Sequence, residues 1–272
     1  MQSFLVLTKE IIQYFLNNRA LIVSLTSREI LGRYQGSIVG IMWAFINPLF
    51  MLLIYTFIFS VVFKARWTAG SDSKTEFALV LFAGLIVFNI FAECITRSPG
   101  IITSNVNYVK KVVFPIEILP LVLLATALFH ALVSLFIWLL VYIVLYGLPH
   151  VTVLLLPAIL LPLLLFIVGV SWFLSALGVY LRDLNQFVGM LVTVIMFLSP
   201  IFYPVSALPE KYQMYLKFNP IAPVIEQVRD VLFWGKCPDI TVYFGGLLIS
   251  ATCAVLGLIF FQKTRAGFAD VL

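Results

Sequence analysis

Stretches without a single charged side chain alternate along the 272-residue chain with short polar breaks. Five such stretches cover 34–63, 77–92, 118–181, 184–209 and 240–262. A helix that crosses a bilayer needs about 20 apolar residues, so the third stretch is roughly three times too long for one. Tyr146-Gly147-Leu148-Pro149-His150 interrupts it with turn-forming residues and divides it into two helices. Six spans follow, at 38–63, 77–96, 117–146, 151–181, 186–203 and 240–262, the second running on past Glu93 and Cys94. They are helical because hydrocarbon leaves an open sheet edge unsatisfied, and no ten-residue alternation marks barrel strands. The fold class is an all-α integral membrane protein, one domain over 1–272.

Composition supports that solvent. The chain is 62% apolar and 11% charged, against about 45–50% and about 25% in soluble domains. An ordinary water-soluble fold is excluded, since so few charges cannot cover a body of 30.6 kDa. No short apolar core with a small-residue cleavage site opens the sequence. Instead 1–33 has a helical stripe of Phe4, Leu7, Ile11 and Phe15, with Lys9, Glu10, Gln13 and Asn17 elsewhere. Such a helix lies in the membrane interface, or packs as a solvated helix on a partner.

Lys and Arg set the orientation. With a cytoplasmic N-terminus, the inside collects ten of the 17 basic residues, among them Arg28, Arg33, Arg97, Lys110, Lys111, Arg182, Lys263 and Arg265. Both termini then lie in the cytoplasm. Catalytic equipment is missing: Gly235-Lys236 continues into Cys237, unlike a nucleotide-binding loop, and no carboxylate set could hold Mg²⁺. Cys94, Cys237 and Cys253 lack paired spacing, and His130 and His150 lack a ligand partner at helical spacing, so no metal site is expected. Glu93 and Glu117 sit at span ends, as interfacial or packing carboxylates or, for Glu93, as a proton relay.

Three segments carry more information. In Arg28-Glu29-Ile30-Leu31-Gly32-Arg33-Tyr34-Gln35-Gly36-Ser37, leading to Asn47-Pro48, the spacing of Gly36, Gly40 and Ala44 predicts a close-packing helix face, within the subunit or between subunits. Between Arg97 and Pro115, Ser104 and Asn105 precede apolar and basic positions, which predicts a short surface helix or a loop that binds lipid headgroups. After the Arg182-Asp183-Leu184 turn, 204–239 is too polar and proline-broken to span and too apolar for a free loop; it reads as two short helices dipping back from the outer face.

Together, Arg28 to Pro48, Arg182-Asp183-Leu184, Ser199-Pro200-Ile201-x-Tyr203, and Asn219-Pro220 with Glu226 and Arg229 resemble the permease subunit of type-2 ABC exporters, most like those for O-antigen and related polysaccharides. The resemblance covers essentially the whole chain. It implies a homodimer joined to two copies of a cytoplasmic ATP-binding subunit, moving a polysaccharide on a polyprenyl-pyrophosphate lipid across a bacterial inner membrane. This chain would hold no cofactor; the partner would bind ATP and Mg. Arg28, Glu29, Asn107, Tyr108, Lys110, Lys111, Arg182 and Asp183 would receive the ATPase motion. Tyr203, Tyr212, Asn219, Pro220, Glu226 and Arg229 would belong to the outer gate. Tyr55, Phe59 and Phe63 recur every four residues, lining a channel where rings stack on sugars, or packing against core and lipid. Membrane lipid is the surrounding partner; nucleic acid is not. Other cargoes within the family are teichoic acid, capsule or a small molecule. An ion-coupled carrier or channel, and an enzyme acting on lipid-linked sugar, are the readings from other classes.

Overall fold

The computed structural model describes residues 16–62, 67, 74–110, 114–216 and 219–272. Residues 1–15 of the amphipathic segment, Phe63 and Lys111 lie outside the described residues. Helix α1 (Arg19–Tyr34) is followed by a turn in which Gly36 and Gly40 take φ of 80° and 58°. Only glycine adopts that region without cost, so the helix breaks there. The single helical face expected of Gly36, Gly40 and Ala44 is not formed: the first two lie in the turn between helices, and within the subunit neither has an atom within 4 Å of an added Cβ.

A 3₁₀ turn at Gly40–Met42 leads into α2 (Trp43–Tyr55), which continues as a π-helical stretch, Thr56–Val62. Pro48 lies inside α2 and has no N–H for the Ala44 carbonyl. Next come α3 (Lys74–Arg97), 3₁₀ turns, the short α4 (Val106–Lys110) and α5 (Leu119–Tyr146), ended by Gly147 with φ of 86°. Helices α6 (Leu156–Tyr180) and α7 (Leu184–Leu198) are joined by a tight turn. Helices α8 (Glu210–Leu216) and α9 (Ala222–Arg229) form the proline-broken segment. Asp239 then caps α10 (Ile240–Arg265) by accepting from the Thr241 and Val242 amides, and α11 (Phe268–Val271) closes the chain. No strand occurs among the described residues.

Among the described residues, five helical segments are long and apolar enough to cross a membrane: Gly40–Phe59, Thr75–Gly100, Ile116–Tyr146, Val151–Tyr180 and Ile240–Arg265. The expected span at 186–203 is shorter than read. Its helix has 15 residues, about 22 Å at 1.5 Å per residue against about 30 Å of hydrocarbon. Pro200 explains the stop, because a residue before proline avoids the helical region, and Ser199 is extended at ψ 146°.

Helix α3 is the axis of the bundle: 83% of its most apolar window is buried, compared with 11% for Gly40–Phe59. Helix α2 thus turns most of its apolar surface, including Leu49, Phe50 and Leu53, outward. Helices α6 and α10 make the most extensive pairing. Two glycines permit it: a Cβ on Gly257 would lie 2.1 Å from the Gly169 carbonyl oxygen, and one on Gly169 would lie 2.6 Å from the Cys253 carbonyl. Small residues at a crossing allow two helix backbones to touch where lipid offers no hydrophobic drive for association.

Candidate functional site

One end of the bundle gathers most of the charge. Helix α1 packs Leu21, Ile22 and Leu25 on Ile118 and Val122 at the start of α5. Tyr108 of α4 joins that patch, stacks on Phe114 at 4.1 Å and accepts a hydrogen bond from Arg28. Arg97 at the end of α3 pairs with Glu29 of α1, and Arg265 at the end of α10 pairs with buried Glu117. Asn185 sits beside Gly100, which brings the Arg182-Asp183 turn against the turn preceding α4. Asn107, Lys110, Arg182 and Asp183 are exposed there, whereas Tyr108 is half-buried. The short helix expected between Arg97 and Pro115 is present as α4, fastened to α1.

Above this end lies a cavity of about 820 Å³ between α2, α3 and α5. Asn47, Tyr55, Asn89 and Ser134 give its wall polar groups. Tyr55 lines it; Phe59 is instead stacked between Phe77 at 5.4 Å and Phe202 at 5.9 Å. Its charged floor joins three helices. Glu93 of α3 accepts from Arg33 of α1, lies 2.9 Å from His130 Nδ1 of α5, and is 3.6 Å from Arg97. Tyr34 Oη is 3.2 Å from His130 Nε2. A smaller open pocket lined by Arg28, Glu29, Gly32, Arg33 and Arg97 abuts the same floor.

The opposite end is organised by Arg229. Its Nε donates to Val80 O at 2.9 Å, Nη1 to Pro200 O at 2.5 Å and Nη2 to Ile201 O at 2.8 Å. The guanidinium lies 4.3 Å from the Trp67 ring centre and beside Gly84, whose missing Cβ makes the room. Burial pushes its pKa down to about 9, opposed by the Glu226 charge, so it remains a cation at neutral pH. Asn219 donates to Ser199 Oγ at 2.9 Å and accepts from the Ile221 amide. Tyr203 donates to Phe197 O. Tyr212, Pro220 and Glu226 are exposed. Two motifs distant in sequence, Ser199-Pro200-Ile201 and Asn219 to Arg229, thus become one hydrogen-bonded unit.

Residues 20–233 match the family model described as ABC-2 type transporter. The chain belongs to the ABC-2 type transporter membrane family. This permease is 30% identical to the O-antigen export system permease protein RfbA of Klebsiella pneumoniae over 257 residues, covering 93% of this chain and 95% of that one. It is 27% identical to the protein of the same name from Myxococcus xanthus, covering 97% and 98%. The polysialic acid transport protein KpsM of Escherichia coli is 27% identical over 76% of this chain and 79% of its own.

Several residues of the permease site escaped the sequence reading. His130, expected only to lack a ligand partner at helical spacing, meets Glu93, Arg33 and Tyr34 from other helices. Arg97 was read only as a charge at the loop entrance, yet it pairs with Glu29. Gly84 gave no signal at all, because the reason for it is the guanidinium of a residue 145 positions later.

Proposed function

We propose that this ABC-2 permease forms, as a homodimer, the membrane path of an exporter for a lipid-linked polysaccharide of O-antigen type, energised by two cytoplasmic ATP-binding subunits that carry ATP and Mg. The observation that carries the reading is the pairing of a basic bundle end, where exposed α4 is fastened to α1, with a polar-lined cavity directly above it. Basic residues concentrate on the cytoplasmic side of membrane proteins, which sets both termini inside. Arg28, Glu29, Asn107, Tyr108, Lys110, Arg182 and Asp183 compose the surface that meets the ATP-binding subunit. Helix α7 and its continuation through Tyr203 act as the sixth, thinner crossing. Helices α8 and α9 dip into the outer leaflet as the gate, with α9 covered by α3 and α6. Tyr55 faces the path, and the outward apolar face of α2 meets lipid or the second copy. The likeness to a polysialic acid transport protein supports a capsule-type polymer as the second reading of the cargo.

A cysteine at Asn107, exposed on α4, tests the reading better than one at Tyr108, whose ring is stacked and hydrogen-bonded. With the ATP-binding subunit co-expressed, Asn107→Cys cross-links to it and Leu148→Cys at the opposite end does not. Absence of any Asn107 cross-link during ATP turnover refutes the assignment.

A further inference from the structure

We infer that Arg33, Tyr34, Glu93 and His130 form a transmission junction, a set of positioning residues that carries displacement of α1 into α3 and α5, the helices that wall the cavity. The inference rests on the proposed ATP-driven reading of the permease.

The four residues come from three elements and all border the same cavity. Glu93 is the hub. Its Oε1 accepts from Arg33, and its Oε2 lies 2.9 Å from His130 Nδ1. That second contact requires one proton between two acceptors, and with Glu93 as the carboxylate paired to Arg33 and Arg97 that proton is on Nδ1. With Nδ1 protonated, Nε2 accepts from the Tyr34 hydroxyl in the neutral ring and donates to it in the imidazolium. A hydroxyl can play either part. Arg33 Nη1, 3.2 Å from Nδ1, is then a second donor converging on the same carboxylate. The ring of contacts from α1 to α3 to α5 and back to α1 therefore closes in both protonation states of the histidine. It is a mechanical connection, and it does not require a proton to arrive or leave.

Burial stiffens the α3–α5 side of the junction, whereas Arg33 on the α1 side is 49% exposed. The side chains of Glu93 and His130 are 16% and 19% exposed. Removing a partner from a charge this far from water leaves it undercompensated, so the elements resist separating. Arg33 closes the last turn of α1, next to the Gly36 hinge, where a movement of α1 relative to α2 would pivot. A plain structural ion pair would fix the fold and leave the ratio of transport to ATP hydrolysis alone. A transmission junction predicts that the ratio changes.

The test uses the permease with its ATP-binding subunit, in cells where this chain is the sole copy. Surface polysaccharide is measured by lectin binding, and ATP hydrolysis on the purified complex. Glu93→Gln keeps the shape and removes the charge; Tyr34→Phe removes one hydroxyl. The export-to-hydrolysis ratio is expected to fall roughly two- to thirtyfold in Glu93→Gln, the range spanned by substitutions along coupling networks, and by less in Tyr34→Phe. Arg33→Lys, which keeps a charged donor, should retain more of the ratio than Arg33→Gln. Wild-type ratios in both Glu93→Gln and Tyr34→Phe overturn the inference. So does a Glu93→Gln loss that only tracks reduced complex yield while Tyr34→Phe stays at the wild-type ratio. If the wild-type complex itself shows no ATP-dependent export, the exporter reading fails, and the junction is not the cause.

Discussion

Replacing Arg229 by methionine should release α9 from the bundle. The side chain is 2% exposed, and its three donors serve the carbonyls of Val80, Pro200 and Ile201. Val80 keeps its own helical partner in α3, so its loss is the smallest. The Pro200 and Ile201 carbonyls lie in a turn and have no ladder to fall back on. Hydrogen bonds to a charged donor contribute about 1.5–3 kcal/mol each, and methionine retains most of the stem volume, which limits the cavity cost. Losses in one network do not add fully. The net cost is therefore about 3–5 kcal/mol, from two carbonyls losing a charged donor. In a chain of this size that is a fall on the order of 10 °C in melting temperature. The assay is thermal melting in detergent followed by size-exclusion chromatography, with limited proteolysis of 204–221 as a local probe. Glu226→Gln, three residues away and exposed, serves as the control and should shift stability by under about 0.5 kcal/mol. Equal melting of the two variants, or an unchanged Arg229→Met, refutes the reasoning. A substitution at Arg229 is consequently a test of packing, whereas one at exposed Glu226 can report on the proposed gate.

Gly257→Ala should open the α6–α10 crossing, since its Cβ meets backbone 2.1 Å away that cannot rotate aside; about 1–3 kcal/mol or more is expected, read as lower monodisperse yield and melting temperature. Trp138→Phe removes a fully buried Nε1–H that donates to Leu79 O at 2.8 Å, costing about 1–3 kcal/mol in the same melt. Tyr55→Ala, in the cavity wall, should alter export with little change in melting, because Tyr55 is only half-buried; unchanged export would remove it from the path.

The long helices were legible because charge-free runs and turn residues report length directly, and α4 was legible from its cap-competent residues. The single-sequence pattern reads the element and not the pair. Glu93 and His130 are 37 positions apart on different helices, and nothing in the periodicity of either announces the other. Gly36 and Gly40 show the converse failure. A four-residue glycine spacing looks the same whether it builds a packing face or two turns with positive φ, and the polar Gln35 and Ser37 between the helices were the better clue. For α7, the Pro200 that stops the helix was visible, but the apolar Ile201 and Phe202 beyond it extended the apparent span. Arg229 and Glu226 share a helix and a spacing of three, which suggested a common role, whereas one is buried and the other exposed.

Along the line from α1 through α3 to α9 the charges of this permease become progressively less exposed, with Glu117 at the inner end buried apart from that line, and the gradient suits the proposed drive from one end. Arg33, Arg97 and Glu29 are 38–49% exposed, Glu93 and His130 are 16–19% exposed, and Arg229 is 2% exposed. Half-exposed ion pairs contribute little, about 0–1 kcal/mol, so Arg97–Glu29 can slip when α1 is pushed. The better shielded contacts of Glu93 with His130 yield later, and motion passing that point enters α3 itself. At the far end, Arg229 grips Val80 near the other terminus of α3 through a backbone carbonyl. A helix held firmly at one end and linked to α1 by half-exposed ion pairs at the other would tilt about the firm end when α1 is displaced. On the proposed reading, tilting α3 would change the cavity that it walls and leave the α9 anchorage in place, so the floor of the cavity would move before the α8–α9 segment does.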